Sequence, residues 1–424
     1  MEQLDAVLAV TGAVVVVAAL LSKPIKKTPL QEPLVAMLVG IVVGPYVLGW
    51  LDVAQWGDQN TVLEQTSRVT LAIGLMGVAL RLNRQSVRTL WRPVVLLLSV
   101  GMAGMWLVSA GLAGWLLGLS FWTALLLGAV LTPTDPVVAS SIVTGGLAKR
   151  NLPVRLRDAI SLESGANDGL AYVLVMLPIL MLQIPADLAW ERWFVESLLR
   201  GFLGAAAAGC AVGYTAAKLL EMAHRRNIIE TISLLGYTVA FSLFTLGGAA
   251  LLQMDALISV FTAGLVFNLC AQRGDEHQEQ KIQEAVAKLF TLPMFVIFGV
   301  ALPLADWARL EWKLAALVIL ILVLRRLPVV LLIFPGLRNA LNGRDAAYLG
   351  WFGPIGIAAI FYATFARSHI EDPIIWHAAS AVIFASILVH GATAAPLTRL
   401  YAHRPTPPPP ATADLKDEFD DDEQ

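Results

Sequence analysis

Charged residues are scarce in this sequence, and neither sign of charge is in large excess. Only 15% of the 424 residues are charged, and the formal net charge at pH 7 is −2. The lack of a basic field argues against nucleic-acid binding. Cysteine is scarce too. Cys210 and Cys270 both lie in apolar runs, so neither a disulfide framework nor a thiolate metal site is predicted.

Hydrophobic residues make up 57% of the chain, and the mean hydropathy is +0.69. This composition is far from that of a soluble domain and predicts an all-α protein that crosses a membrane many times. Apolar runs near the length of a bilayer crossing predict thirteen spans. They lie at about residues 4–21, 33–51, 69–82, 93–115, 121–143, 158–182, 199–221, 229–247, 251–269, 286–304, 313–334, 346–366 and 375–397. Twelve spans are the alternative, because the third run is short and the eighth and ninth are separated by little.

Basic residues favour cytoplasmic loops and therefore orient the chain. They are concentrated after odd-numbered spans, at Lys23, Lys26, Lys27, Arg81, Arg84, Arg88, Arg92, Lys149, Arg150, Arg155, Arg157, Lys218, Arg225 and Arg226. This pattern predicts an amino terminus outside the cell and a cytoplasmic carboxyl terminus, and it supports thirteen spans over twelve. The first run carries Glu2 and Asp5 at its amino end, so we predict a span there and not a signal peptide.

Two of the predicted spans contain helix-breaking sequences. Span five holds Thr132-Pro133-Thr134-Asp135-Pro136, and span twelve holds Gly353-Pro354-Ile355-Gly356. The breaks are seven spans apart, so they take the same place in two halves of opposite topology. Paired interrupted helices indicate the substrate site of a secondary transporter at the membrane midplane. Two unrelated proline kinks are the alternative, and the acid beside the first break favours the transporter.

Span six carries a second acid, Asp168, at a depth where an acid is costly and rarely lacks a function. Glu163 and Asn167 are four residues apart, as are Ser164 and Asp168, so the four lie within an arc of about 140° on one helix. Hard oxygen ligands on one face suit Na⁺, Li⁺ or a hydrated proton. The broken span can add backbone carbonyls and the hydroxyls of Thr132 and Thr134.

Structural roles are the alternative for several of these residues. Asp135 would then cap a helix end at the break, and Ser164 and Thr132 would bond only to backbone within their own helices. Asn167 would bridge two helices. His390, alone in span thirteen, is predicted to bridge helices, with proton transfer as the alternative.

Arg325 and Arg326 lie inside the apolar span eleven, where an arginine needs a partner. Glu163 is the best candidate, because it and the arginines are predicted to lie in the cytoplasmic halves of their spans. For one of the two arginines, the alternative is that its side chain reaches the lipid headgroups.

Together these motifs resemble those of the monovalent cation/proton antiporters of the NhaP and Na⁺/H⁺-exchanger kind. Thr134-Asp135-Pro136 followed by Glu163-Ser164-x-x-Asn167-Asp168 carries the resemblance. Arg325-Arg326-Leu327-Pro328, the run from Gly350 to Gly356 and Val389-His390-Gly391 resemble the late motifs of the branch that includes fungal plasma-membrane alkali-cation/proton antiporters. The resemblance extends over about residues 5 to 400.

The resemblance implies an inverted-repeat fold of the NhaA/NhaP kind and usually a homodimer. It implies one antiporter domain over residues 1–403, in which a core at about 93–182 and 313–397 moves against a dimerisation part at about 1–92 and 199–304. Residues 404–424, rich in proline and then in acids, are predicted to be a disordered cytoplasmic tail.

Residue by residue, the resemblance implies that Asp168 binds the ion, supported by Asn167, Ser164 and Thr134. Asp168, Ser164 and Thr134 would be the ligands of the transported metal cation, with Asp135 as a further candidate. Glu163 would form a gating or stabilising ion pair with Arg325 or Arg326.

Two departures from the family pattern stand out. Many exchangers have an arginine in the second break where this chain has Ile355, which leaves the ion pair to Arg325 or Arg326. Several relatives have an acid in span three, within a Gly-x-Glu-Leu pattern, where this chain reads Gly77-Val78-Ala79-Leu80. A ligand on the span-three side is therefore missing.

The predicted function is exchange of Na⁺, and also Li⁺ or K⁺, for H⁺ across the plasma or inner membrane. One titrating acid at the site predicts electroneutral exchange. The protein is predicted not to be an enzyme and to need no cofactor, with the lipid bilayer and the two ions as its partners. The alternatives are an intramembrane aspartic protease using Asp135 and Asp168 and a cation channel.

Overall fold

The computed structural model describes residues 2–20, 31–136, 138–139, 146–226, 228, 231–271 and 276–402. Regular structure within these ranges is helical throughout. Lys23, Lys26, Lys27 and the tail predicted at 404–424 lie outside the described residues, as does the end of the predicted span five.

Nineteen α-helices follow one another along the described chain. The first ten are α1 (Glu2–Leu20), α2 (Glu32–Val43), α3 (Gln59–Arg81), α4 (Arg84–Leu96), α5 (Met102–Leu117), α6 (Phe121–Val130), α7 (Gly146–Asn151), α8 (Val154–Gln183), α9 (Ala186–Arg192) and α10 (Ala205–Arg225). The others are α11 (Thr231–Leu251), α12 (Ala256–Cys270), α13 (Glu276–Val300), α14 (Leu304–Arg309), α15 (Glu311–Leu324), α16 (Leu327–Leu337), α17 (Gly343–Trp351), α18 (Ile357–His369) and α19 (Pro373–Ala402). A π-helical stretch, Leu97–Gly101, joins α4 to α5, and another, Trp193–Gly204, joins α9 to α10.

Each of the thirteen predicted spans overlaps one helix or two successive helices among the described residues. Span two was predicted to reach about residue 51, but α2 ends at Val43, and the end of span five lies outside the described residues. Within the described part of the chain, five helical stretches are individually long and apolar enough to cross a membrane. They are Arg84–Leu117, Val154–Gln183, Ala186–Arg225, Glu311–Leu337 and Pro373–Ala402. The eighth and ninth predicted spans are separate helices, α11 and α12. The two runs therefore do not form one span, while the count of thirteen stays a prediction.

The boundaries of two predicted spans are wrong for a physical reason. Span three was placed at about 69–82, but α3 begins at Gln59. The side chain of Asp58 caps it by accepting the backbone N–H of Thr61 at 2.9 Å. Span eleven was predicted as one continuous helix, but α15 ends at Leu324 and α16 begins at Leu327. The first turn of α3 is polar, and the joint between α15 and α16 contains two buried arginines. Apolar runs alone predict neither feature.

Both predicted breaks are present. In the first, α6 ends at Val130 and the chain from Thr132 to Asp135 has no regular secondary structure. In the second, α17 ends at Trp351 and α18 begins at Ile357. The two non-helical segments touch, because the backbone N–H of Asp135 donates to the carbonyl of Pro354 at 2.8 Å. Backbone groups that leave their own helices at the break are thus partly satisfied by the other break, as a membrane interior demands.

Close helix crossings occur where glycine removes the side chain. A Cβ on Gly299 of α13 would lie 2.2 Å from the carbonyl oxygen of Met37 in α2. A Cβ on Gly40 of α2 would lie 2.1 Å from the carbonyl oxygen of Val296. Backbones therefore meet directly, as small residues allow between membrane helices.

Replacing Gly299 by alanine should destabilise the protein, because the added methyl cannot fit without moving α2. Overpacking of this kind costs about 1–3 kcal/mol. Thermal unfolding in detergent measures the loss.

Gly247→Ala is the matched control, since a Cβ at Gly247 would meet nothing within 4 Å. Alanine is also the better helix former, so this variant should be as stable as the parent or slightly more so. A Gly299→Ala protein as stable as the Gly247→Ala protein would contradict the close crossing.

Candidate functional site

Asp135 ties the two breaks together. Its carboxylate accepts the backbone N–H of Val138 at 3.1 Å and the N–H of Ile357, the first residue of α18. A carboxylate at a helix amino end balances the partial positive charge of the unpaired N–H groups there. Asp135 is completely buried. The structure thus places it as a helix cap at the break, while a role in ion binding stays a prediction.

Arg325 holds the opposite helix ends. Its guanidinium donates to the carbonyl oxygens of Leu131 at 2.6 Å and Thr132 at 2.9 Å, and also to that of Gly353. These carbonyls follow the carboxyl ends of α6 and α17, where the partial charge is negative. Where the two breaks cross, the cationic Arg325 therefore binds the carboxyl ends of the half-helices, and the anionic Asp135 binds their amino ends.

Neither arginine reaches the headgroups, so that alternative is wrong. Arg325 and Arg326 are each 3% exposed, and both lie at the joint between α15 and α16. The joint turns the side chains into the protein, where carbonyl and carboxylate oxygens satisfy them.

Arg326 forms a bidentate ion pair with Glu163. Nη1 donates to Oε1 and Nη2 to Oε2, each at 2.9 Å. The Nε of Arg326 donates to the carbonyl of Leu349 at 3.0 Å. Glu163 is 1% exposed, so this pair is buried and well aligned. Arg326 is therefore the partner of Glu163, and Arg325 binds the backbone carbonyls at the two breaks.

Thr134, Ser164 and Asn167 form one hydrogen-bonded network with that pair. The amide of Asn167 donates to the Thr134 hydroxyl at 2.6 Å and to Glu163 at 3.0 Å, while its oxygen accepts the N–H of Thr134 at 3.1 Å. The hydroxyls of Thr134 and Ser164 lie 3.0 Å apart. Asn167 therefore bridges α8 and the first break. Thr132 instead bonds within its own helix, to the carbonyl of Gly128 at 2.7 Å.

Asp168 stands apart from this network. It is completely buried, and neither of its carboxylate oxygens has a hydrogen-bond partner among the described residues. It lies one helical turn after Ser164, so the hydroxyls of Ser164 and Thr134 are on the same side of α8. Its backbone carbonyl accepts the hydroxyl of Tyr362 in α18. The site thus combines one unpartnered acid with neutral oxygens next to it.

Side chains of α19 hold the backbone of the second break. The hydroxyl of Ser386 accepts the N–H of Ile355 at 2.8 Å. His390 contacts the carbonyl of Trp351 through Nε2 at 3.0 Å and the carbonyl of Ser386 through Nδ1 at 2.9 Å. His390 therefore bridges two helices, as predicted.

Asp255 and Tyr362 were not among the predicted site residues. Asp255 is 6% exposed and caps α12 by accepting the N–H of Ile258 at 2.7 Å. Its position directly before the run Ala256–Phe267 was a visible capping signal. Tyr362 gave no such signal, because an aromatic residue within an apolar span is ordinary.

Arg155 was predicted only as one of the basic residues of a cytoplasmic loop. It is 6% exposed and donates to Asp345 at 3.1 Å, joining the amino ends of α8 and α17. A basic residue at a helix start, next to a predicted loop, gives no sign of a buried partner about 190 residues away.

The aspartic protease alternative lacks support in this geometry. Such an enzyme needs two acids that share a proton. The oxygens of Asp168 accept no hydrogen bond from any described residue, so it does not share a proton with Asp135.

A family profile described as "Sodium/hydrogen exchanger, transmembrane" matches residues 12–400. The chain belongs to this exchanger family. The predicted resemblance is confirmed, and the chain has fungal relatives of about 30% identity. Na(+)/H(+) antiporter 2 of Zygosaccharomyces rouxii is 31% identical over 396 residues, which are 86% of this chain and 49% of that protein. The Na(+)/H(+) antiporter of Saccharomyces cerevisiae is 30% identical over 406 residues, which are 88% of this chain and 41% of that protein. The chain spans about half the length of these relatives.

A solved structure shares the fold of this chain. The sodium proton antiporter MjNhaP1 from Methanocaldococcus jannaschii superimposes with a TM-score of 0.71 at 17% identity, covering 95% of this chain and 100% of that one. The predicted fold class, an all-α membrane protein with two discontinuous helices, is confirmed. The K(+)/H(+) antiporter NhaP of Alkalimonas amylolytica is also similar, at 25% identity over 94% of this chain and 67% of that protein.

Loss of one partner of the Glu163–Arg326 pair should destabilise the protein strongly. Glu163→Gln strands the arginine charge and Arg326→Ala strands the carboxylate, and each should cost about 3–5 kcal/mol. Thermal unfolding in detergent gives the size of each loss.

A double-mutant cycle isolates the pair. The losses of Glu163→Gln and Arg326→Ala should fall short of additive by more than ~1 kcal/mol, because the second change removes an already broken pair. Arg325→Ala, which strips the breaks of a donor, is the matched control and should be closer to additive with Glu163→Gln. Equal coupling of Glu163 to both arginines would contradict the assignment.

Proposed function

We propose that this chain exchanges a monovalent cation for H⁺ by alternating access, with Na⁺ as the principal cation and Li⁺ or K⁺ as further candidates. The observation that carries the proposal is the completely buried, unpartnered carboxylate of Asp168 beside the crossing of two broken helices. Names of relatives as Na(+)/H(+) and K(+)/H(+) antiporters support it.

The carboxylate supplies the coupling. A bare charge without hydrogen bonds is costly in an apolar interior, so Asp168 needs either a proton or a cation to neutralise it. A proton requires no further ligand. A cation requires neutral oxygens around it, and the hydroxyls of Ser164, one helical turn before Asp168, and of Thr134, which lies 3.0 Å from that of Ser164, are candidates. Because one carboxylate serves both ions in turn, their movements are opposed.

The position of Asp168 also suits alternating access. In the proposed division, α8 belongs to the moving core and α12 to the dimerisation part. The two helices pack tightly beside Asp168, since a Cβ on Gly169 would lie 2.6 Å from the side chain of Ile258. The acid thus lies at the boundary across which the core would move.

A homodimer, an amino terminus outside, a cytoplasmic carboxyl terminus and a place in the plasma or inner membrane complete the proposal. Exchange of this kind needs no resident cofactor.

Asp168→Asn should abolish exchange while the protein still inserts and folds. An asparagine side chain neither holds the transported proton nor neutralises a cation. Cation-driven proton movement is read from dequenching of a pH-sensitive dye in sealed vesicles, with Na⁺, Li⁺ and K⁺ added in turn.

Asp187→Asn, which changes an exposed acid, is the control and should exchange like the parent. Normal exchange by a well-folded Asp168→Asn protein would sink the assignment. Cation flux that ignores the pH gradient in the parent would instead indicate a channel.

Exchange should be electroneutral. The site holds one acid without a partner, whereas Asp135 is engaged by backbone N–H groups at the break and should remain charged. Na⁺-driven proton movement should therefore not depend on a membrane potential set with K⁺ and valinomycin, in a preparation where K⁺ is shown not to be transported. A clear dependence would mean that a second proton moves, and Asp135 would then be the first residue to test.

A further inference from the structure

The carboxylate of Asp168 accepts no hydrogen bond from any residue that the structure describes, so its position follows from the backbone of α8. On one side that backbone rests on α12. A Cβ on Gly165 would lie 2.4 Å from the ring of Phe261, and one on Gly169 would lie 2.6 Å from Ile258. Gly165 precedes Asp168 by about one turn and Gly169 directly follows it, so α8 is pressed against α12 at the level of the acid.

On the other side the backbone is held by Tyr362 of α18. Tyr362 is completely buried, and its hydroxyl donates to the carbonyl oxygen of Asp168 itself. A carbonyl has two lone pairs, so this bond adds to the hydrogen bond within α8. Asp168 is therefore fixed between a steric contact with one helix and a hydrogen bond from another.

Tyr362 also connects Asp168 to the crossing. It lies five residues, little more than one turn, after Ile357, whose N–H is bound by Asp135. Asp135 directly follows Thr134, whose hydroxyl lies 3.0 Å from that of Ser164. A chain of contacts thus runs from the oxygens next to the site, through the second break, back to the acid.

We propose that Tyr362 is a positioning residue for the cation site. By holding the Asp168 carbonyl, it sets the distance between the carboxylate and the hydroxyls of Ser164 and Thr134, and with it the affinity for the cation. This inference rests on the proposed function, in which Asp168 binds the cation. A proton needs only the carboxylate, whereas a cation needs several oxygens at once, so loss of the Tyr362 hydroxyl weakens cation binding more than proton binding.

The test is Tyr362→Phe, which removes one oxygen and keeps the ring. The Na⁺ concentration that gives half the maximal rate should rise about three- to tenfold, the factor that one hydrogen bond of ordinary net strength contributes. The maximal rate should change by less than about twofold, because the carboxylate itself is intact. The dependence of exchange on pH at saturating Na⁺ should stay within a few tenths of a pH unit of the parent, about a twofold change in proton affinity.

Tyr348→Phe is the matched control. Tyr348 is 6% exposed, and its hydroxyl bonds to that of Thr398 at 2.7 Å, in the same group of helices but away from Asp168. Both variants lose a buried phenol hydroxyl and should lose similar thermal stability. Only Tyr362→Phe should lose cation affinity.

A second measurement separates this inference from the proposed function. Na⁺ or Li⁺ added to purified parent protein in detergent should raise its unfolding temperature, and Tyr362→Phe should need a higher concentration for the same rise. Equal concentrations for the parent and Tyr362→Phe would overturn the proposal, and so would an equal shift in Tyr348→Phe. A parent that is stabilised by the cation but moves no protons would refute the exchange, while the comparison of the two variants would still decide the role of Tyr362.

Discussion

The exposed ends of two half-helices meet inside the protein, and the rest of the site depends on how their charges are balanced. Carbonyls at the carboxyl ends of α6 and α17 are bound by Arg325, and the amino end of α18 is bound by Asp135. Without these two side chains, the backbone N–H and C=O groups at the helix ends would be buried without partners. Their partial charges would also be left uncompensated in an apolar surrounding. Since each side chain contacts both breaks, the two interruptions stabilise each other.

That balance divides the ionisable side chains into two kinds. Asp135, Arg325, Glu163 and Arg326 are engaged by backbone or by one another, and their charges are compensated where they lie. Asp168 has no such compensation among the described residues. The contrast is physically informative, because a buried polar group without a partner is expensive and persists only where something else neutralises it. Structural charges and the proposed working charge can thus be told apart by their contacts.

Much of this arrangement is legible in the sequence, and the reasons differ by residue. Pro133, Pro136 and Pro354 mark the breaks because proline removes a backbone donor, which is a local effect. The four-residue spacing of Ser164 and Asp168 marks a shared face for the same kind of reason. The polar start of α3 was missed because its helix depends on the Asp58 cap, which an apolar count ignores. The choice of Arg326 over Arg325 as the partner of Glu163 was left open, because the joint between α15 and α16 turns neighbouring side chains to different places. Tyr362 was invisible because its partner is a backbone carbonyl 194 residues away.

The glycines of α8 affect how easily the core can move against the dimerisation part in the proposed mechanism. Helices whose side chains interlock resist displacement along each other, since ridges must leave their grooves before they can re-engage. At Gly165 and Gly169, α8 has no side chains with which to interlock, and the ring of Phe261 and the side chain of Ile258 rest on bare backbone. Beside Asp168, α8 therefore presents only its backbone to α12 at these two positions. A small shift of α8 along α12 would therefore displace no side chain of α8 from a groove of α12 at these two positions.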